Sequence, residues 1–309
     1  MPALKTKILL WTVRNRHLMK FHLRPEVVTE DYDLNKMRAE NITGAQKFGS
    51  IPAGIRVIPV DIAGMHAEWI EPEGTTREKV IFYTHGGGYV SGCCDDHRMH
   101  VAKLVEGTGA SVLLFDYRLA PEHSAPAAME DTLKAYRWML AQGIRPENTV
   151  IAGESAGGGL CLAALVAIRD SGLPLPAAGV ASSPWIDLTC SADSYTRNAR
   201  RDISTLGSWE VWNKFYAGEN DLRDPWISPI YADLHGLPPI LIQVGTDEIM
   251  LDDAVKFGEK ACQSGVDAVV KIWDGMVHCF AFFSPLFPEA QAGMQELCDY
   301  IRLHLGIVD

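Results

Sequence analysis

The stretch Thr149 to Leu160, TVIAGESAGGGL, constrains the fold more than any other part of the chain. An apolar run passes into Gly153-Glu154-Ser155-Ala156-Gly157 and then into small and apolar residues as far as Asp170, so a buried strand is expected to turn sharply into a helix. A serine with glycine two residues away on each side, between such elements, is the pattern of a nucleophile elbow. The glycines have a steric reason: the turn is so tight that side chains at 153 and 157 would meet the neighbouring strand and helix. The serine hydroxyl is then held out at the carboxyl edge of a sheet, above a helix N-terminus whose first amides are free. Five residues also describe many ordinary strand-to-helix turns, so the surroundings have to decide.

They read as an alternation. After residues 1–45, which carry two helical patterns separated by Pro25, strands are expected at Ile55 to Val60 and Met65 to Glu71, then at Lys79 to Thr84. Helix and strand then alternate: helix Asp96 to Glu106, strand Ser111 to Phe115, helix Pro126 to Ala141, the elbow strand and helix, strand Ala178 to Ala181. The pattern breaks over 185–229, where Trp185, Trp209, Trp212 and Trp226 sit among polar residues, and resumes with strand Pro239 to Val244, helix Leu251 to Ser264, strand Asp267 to Trp273 and helix Pro288 to Leu305. Alternation of this kind implies right-handed crossovers and a mostly parallel α/β sheet covered on both faces. Residues 46–309 are therefore expected to form one sheet domain. The 1–45 segment, with Leu4, Ile8, Trp11, Leu18, Phe21 and Leu23 as its apolar positions, and the 185–229 insertion are expected to lie over it as a two-part cap.

Charge and cysteine content narrow the class of partner. A formal charge of -11 gives a phosphate backbone nothing to bind, which excludes a nucleic-acid partner. No stretch is long and apolar enough to span a bilayer, so no stable membrane insertion is expected, and the basic N-terminal helix is too mixed on both faces for a membrane-surface anchor. Seven scattered cysteines suit reduced thiols and a cytoplasmic location. Cys93, Cys94, His97 and His100 look like ligands, but they overlie a helix start where aspartate is a natural N-cap, and their spacing matches no metal frame, so no metal is expected.

The strand ending at Thr84 runs into His85-Gly86-Gly87-Gly88-Tyr89. Glycines there let backbone amides turn toward a reacting group, and the amides of Gly86 and Gly87, with that of Ala156, are the expected oxyanion donors. The run lacks the GxxxxGK[ST] pattern and its lysine, so it is not a phosphate loop.

Taken in order, HGGGYVSG, YRLAPEHSAPAAMED, GESAGG, SPWIDLT, GTDEIMLDDA and GMVHCF resemble the hormone-sensitive-lipase-like esterases (bacterial family IV), over about residues 55 to 305. The resemblance implies an α/β-hydrolase fold and hydrolysis of small acyl esters without a cofactor, through a Ser-acid-His triad and an acyl-enzyme. It puts Ser155 in the nucleophile's place, His278 in the general base's, and His85 in that of a histidine bracing the oxyanion loop. The family's acid stands about thirty residues before the base, which is Glu248; most relatives carry Asp, so the adjacent Asp247 is the alternative. Tyr89 and Trp185 follow strands ending at the same edge and are candidates for lining the substrate pocket, with core packing as the other reading. Arg118, Glu122 and Asp131 read as buried loop anchors. A catalytically silent binding protein on the same fold, an amidase and a lipase remain rival readings, and the strand 267–273, alternating Ala268, Val270 and Ile272, is a candidate homodimer edge.

Overall fold

A computed structural model of the chain describes residues 2–15, 18, 25–47 and 50–308. The expected alternation is realised as strands β1 (Ile55–Ile62), β2 (Met65–Pro72), β3 (Val80–Thr84), β4 (Ser111–Phe115), β5 (Thr149–Glu154), β6 (Ala178–Ser182), β7 (Ile240–Gly245) and β8 (Ala268–Trp273). Among the described residues the helices are α1 (Leu4–Arg14), α2 (Leu34–Lys47), α3 (Cys94–Thr108), α4 (Ala127–Ala141), α5 (Ala156–Asp170), α6 (Ser194–Arg197), α7 (Ser208–Ala217), α8 (Leu251–Gln263) and α9 (Pro288–Leu305). The strands form one sheet in the order β1-β2-β4-β3-β5-β6-β7-β8. The β1-β2 and β2-β4 pairs are antiparallel and the others parallel.

Period-two alternation divides the core between the sheet's faces. Phe82, Leu113, Phe115 and Ile151 pack on α4, α5 and α8, while Ile81, Tyr83, Val112, Leu114 and Val150 pack on α3 and α9. Helix α5 is buried on every side from Leu160 to Ile168, which is why its sequence shows no polar face. Register then builds the site. Thr84 pairs with Gly153 and Glu154 with Ser182, so the glycine run after β3 and the elbow after β5 emerge side by side.

The N-terminal segment meets the insertion directly: Val28 donates to the Leu206 carbonyl at 2.8 Å, and Lys214 of α7 pairs with Glu30 at 2.9 Å. Helix α2 is tethered by Arg38, which reaches the Val90 and Ala120 carbonyls and Glu122. Glu122 and Arg118 are thus half-exposed rather than buried anchors, whereas Asp131 is buried and holds Arg118 at 2.8 Å.

Helix α1 departs from expectation. It docks beside the β8–α9 connection through Leu10, against Met276, Phe280 and Phe287, and through Thr6 and the Ala3 amide on Glu289. Leu4, Ile8 and Trp11 therefore point to solvent, because polar anchors at its N-terminus and Arg14 at its C-terminus set the rotation of the helix. Leu18 is exposed as well, and the apolar positions Phe21 and Leu23 lie outside the described residues.

Candidate active site

Between β5 and α5, Ser155 adopts φ 57°, ψ −125°. A non-glycine residue in so sparsely populated a region costs about 1–3 kcal/mol, and persists only where its surroundings over-determine it. Here they do. The Ser155 amide donates to the Ser182 carbonyl at 2.9 Å, and the Ser155 carbonyl accepts from the Trp185 amide at 2.9 Å. A Cβ on Gly153 would lie 2.4 Å from the Gly157 carbonyl oxygen, and one on Gly157 2.1 Å from that of Thr84. Both approaches are below any real contact, so the spacing of the two glycines is a packing requirement.

The loop after β8 brings His278 back over the elbow, with Nε2 2.8 Å from Ser155 Oγ. Its Nδ1 faces Glu248 Oε2 at 3.4 Å. Glu248 is fully buried, and its other oxygen accepts from Ser183 Oγ at 2.9 Å and from the Gly245 amide at 2.6 Å. Asp247 turns the other way and pairs with Arg14 at 2.6 Å. Burial raises the Glu248 pKa, opposed by the hydrogen bond and charge of His278. Burial works against charge on His278, while the adjacent Cys279 sulfur, the hydrogen bond to Glu248 and the charge of Asp202 act in the opposite direction and raise the imidazole pKa.

The glycine run differs from expectation by one residue. The Gly86 amide is already committed, donating to Glu154 Oε1 at 2.7 Å, so it faces the buried network and not the serine. Gly87 and Gly88, at φ 112° and 66°, line the same cavity as Ser155. Their amides, and that of Ala156 at the start of α5, find no acceptor among the described residues.

Glu154 is the centre of that network. It accepts from Gly86 and from the Tyr83 hydroxyl, and His97 Nε2 lies 3.0 Å away. His97 Nδ1 is 2.5 Å from Asp96. Burial alone would lower the His97 pKa, but the two carboxylates raise it to about 10, so the ring is an imidazolium. Asp96, despite burial, is held at about 2 by the same pairing. The neighbouring His85 goes down to about 4 through burial and the charge of His97, so it is neutral; its Nδ1 lies 2.9 Å from the Gly86 carbonyl, braced from behind by Tyr117. The helix start is capped otherwise than expected. Cys93 is the N-cap, and Asp96, three residues on, accepts from the Cys93 amide at 2.8 Å. Ligand atoms of His97, His100 and Glu154 lie within 4.8 Å of one another, a grouping the ion pairing of His97 accounts for without a metal.

Removing one partner of a buried pair leaves the other charge uncompensated, so His97→Ala is expected to cost about 3–5 kcal/mol in urea unfolding at pH 7. Since folding raises the His97 pKa to about 10, its contribution is complete below the ordinary histidine value and disappears as pH rises through about 10. The difference between wild type and His97→Ala should therefore shrink across that alkaline window.

Ser155 and His278 open into a cavity of about 1200 Å³ whose walls include Trp185, Trp209, Trp212, Met250 and Phe282, with Asn41 and Ala45 from the N-terminal segment and Ile203 and Ser204 from the insertion. Trp185 stands at its wall while packing, at 2% exposed, in the core as well. Tyr89 does not line it: its ring is 1% exposed and stacked on Tyr216 at 3.7 Å, so it packs the core beneath the insertion. The sequence pattern did not mark Trp212 as a pocket residue, although a Cβ on Gly88 would lie 2.5 Å from its ring. Its place among the tryptophans of the insertion was the available signal.

An alpha/beta hydrolase fold family matches residues 81–282. The chain is 39% identical over 249 residues to an acetyl-hydrolase of Streptomyces hygroscopicus, covering 80% of this chain and 83% of the relative. It is 34% identical over 249 residues to an esterase of Acinetobacter venetianus, covering 80% and 82%. Among solved structures, an esterase/lipase from an uncultured bacterium superposes with a TM-score of 0.90 at 39% identity over 98% of this chain and 99% of that one. An esterase from the bacterial hormone-sensitive lipase family does so with 0.89 at 37% identity over 99% and 100%. With that family's sheet, elbow and glycine run in place, the chain belongs to the hormone-sensitive-lipase-like α/β hydrolases and is a carboxylic ester hydrolase.

Proposed function

We propose that the protein is a serine carboxylesterase acting on short- to medium-chain acyl esters through an acyl-enzyme. The observation that carries this reading is the 2.8 Å contact between His278 Nε2 and the strained Ser155 hydroxyl, with the buried Glu248 behind the ring. His278 takes the Ser155 proton as Oγ attacks the ester carbonyl. The carbonyl oxygen, now an oxyanion, accepts from the amides of Gly87, Gly88 and Ala156, donors that have no competing partner among the described residues. The tetrahedral intermediate collapses, the C–O bond to the alcohol breaks, and His278 returns the proton to the departing oxygen. Water then attacks the acyl-enzyme by the same route and releases the acid. Glu248 orients the imidazole and stabilises its charged form.

Residues 1–45 and 185–229 act as the two parts of a cap, a reading supported by the walls they share around the cavity and by the Val28–Leu206 bond between them. The aromatic walls of the cavity suit an apolar acyl chain. The related EstE5 was soaked with p-nitrophenyl butyrate, an ester of this class. Hydrolysis of p-nitrophenyl esters from acetate to palmitate is expected to peak among the shorter chains. A peak at palmitate would overturn the chain-length reading, and no hydrolysis of any member would favour a silent binding protein.

The seven free thiols support a cytoplasmic location, and no helix among the described residues is long and apolar enough to cross a membrane. Of the alternating residues of edge strand β8, Ala268 and Val270 pack against the core and Ile272 is 51% exposed; we read the strand's open edge as the surface that pairs with a second copy. Light scattering is expected to give twice the 34.0 kDa chain mass; a monomer mass would remove the dimer.

A further inference from the structure

The insertion does more than cover the cavity. From one short stretch of it, Ser194, Asn198 and Asp202 reach the loop that carries Glu248. Ser194 Oγ donates to the Ile249 carbonyl, and Asn198 Nδ2 donates to the carbonyls of Thr246 and Glu248 at 3.0 and 2.8 Å. Asp202, 5% exposed, goes one step further. Its Oδ2 accepts from the Ile249 amide at 3.0 Å and its Oδ1 from the His278 amide at 3.0 Å. A single carboxylate thus ties the residue after Glu248 to His278 itself, across two loops 30 residues apart in sequence. Its remaining partners are local, the Ile203 amide and Ser204 Oγ, and among the described residues no cation pairs with it. A buried carboxylate facing amides is a strong acceptor, and one shared by two loops fixes their separation.

We infer that Asp202 is a positioning residue of the hydrolytic site, a brace from the insertion that sets the distance between acid and base and places negative charge beside the base. The inference rests on the proposed roles of Ser155, Glu248 and His278. The charged and titratable groups around the His278 ring come from each neighbouring element: Glu248 after β7, Cys279 on its own loop, Asp202 from the insertion and the Ser155 hydroxyl at the elbow. Arg14 and Asp247 neutralise one another on the outer side of the acid loop. Asp202 is therefore the carboxylate besides Glu248 that favours the imidazolium, and removing its charge makes His278 less basic.

The test is Asp202→Asn, which keeps shape and one acceptor but loses the charge and the second acceptor. With p-nitrophenyl butyrate as probe, kcat is expected to fall roughly 10- to 100-fold with KM within about 2-fold, as a small misplacement of reacting groups does. The acid limb of the kcat/KM profile is expected to move to lower pH. Asp202→Glu, which retains the charge at a different reach, should lose kcat while keeping the acid limb in place. A folded Asp202→Asn with unchanged kcat, or with reduced kcat and an unmoved acid limb, would overturn the inference. If Asp202→Asn does not fold, Asp202→Glu decides: wild-type kcat there would overturn it. Ser155→Ala run in parallel separates the two levels, because activity surviving in that variant defeats the proposed mechanism, and not the brace alone.

Discussion

Ser155→Ala is expected to lower kcat on p-nitrophenyl butyrate by about 10⁵- to 10⁶-fold while leaving the fold and KM nearly unchanged. The substitution removes one oxygen, the atom 2.8 Å from His278 Nε2, and leaves both backbone bonds of the elbow in place. Alanine inherits the φ 57°, ψ −125° conformation, so the strain stays. Glycine does not carry that penalty, and Ser155→Gly is expected to be equally inactive but more stable, by about 1–3 kcal/mol in urea unfolding. That pairing separates chemistry from folding. The residual rate in both variants is expected to come from the proposed oxyanion donors, the amides of Gly87, Gly88 and Ala156, which either substitution leaves intact. Wild type is expected to lose activity on labelling by a serine-directed phosphonate, with Ser155 as the modified residue. Substantial turnover by Ser155→Ala would defeat the acyl-enzyme mechanism.

Glu248→Ala should cost about 10⁴-fold in kcat, whereas Asp247→Ala should cost less than about 10-fold. The two residues are adjacent in sequence and opposite in environment. Glu248 is sealed from solvent between Ser183, the Gly245 amide and the imidazole, and in the proposed triad its loss strips the base of the group that orients it and balances its charge. It also leaves the Ser183 hydroxyl and Gly245 amide unsatisfied, so a stability loss of about 1–3 kcal/mol should accompany the kinetic one. Glu248→Gln, which retains an acceptor for both, is expected to recover stability without recovering rate. Asp247 holds Arg14 in a partly exposed pair, a contact worth about 1 kcal/mol or less. The reverse pattern, with Asp247→Ala inactive and Glu248→Ala active, would transfer the acid role to Asp247.

What was legible in the sequence was what depends on near neighbours. Period-two and period-3.6 patterns located the eight strands and the helices that flank them, since burial on one side or both leaves its mark on successive residues. The Gly153 and Gly157 pair likewise records a collision within one turn. The order of the motifs along the chain, with the serine before the acid and the histidine last, was legible because connectivity decides it.

Direction was not legible, because it is settled by groups distant in the chain. Gly86 and Gly88 are equivalent as sequence, but a carboxylate 68 residues away takes the Gly86 amide and leaves the next ones free. Tyr89 and Trp185 both follow edge-directed strands; Tyr216 pulls one ring into the core, and the cavity keeps the other. The apolar stripe of α1 faces outward because Glu289 and Asp247 hold the helix by its polar atoms. Asp202 carried no sequence pattern at all, since its partners are two backbone amides contributed by loops after different strands. The sequence by itself determined the sheet, the elbow and the residue types at its edge, because local sterics and burial write them into neighbouring positions. Only the tertiary structure decided which polar atoms face the serine, because a hydrogen bond is assigned by proximity in space, and proximity across a sheet edge depends on register and on the insertion that crosses it.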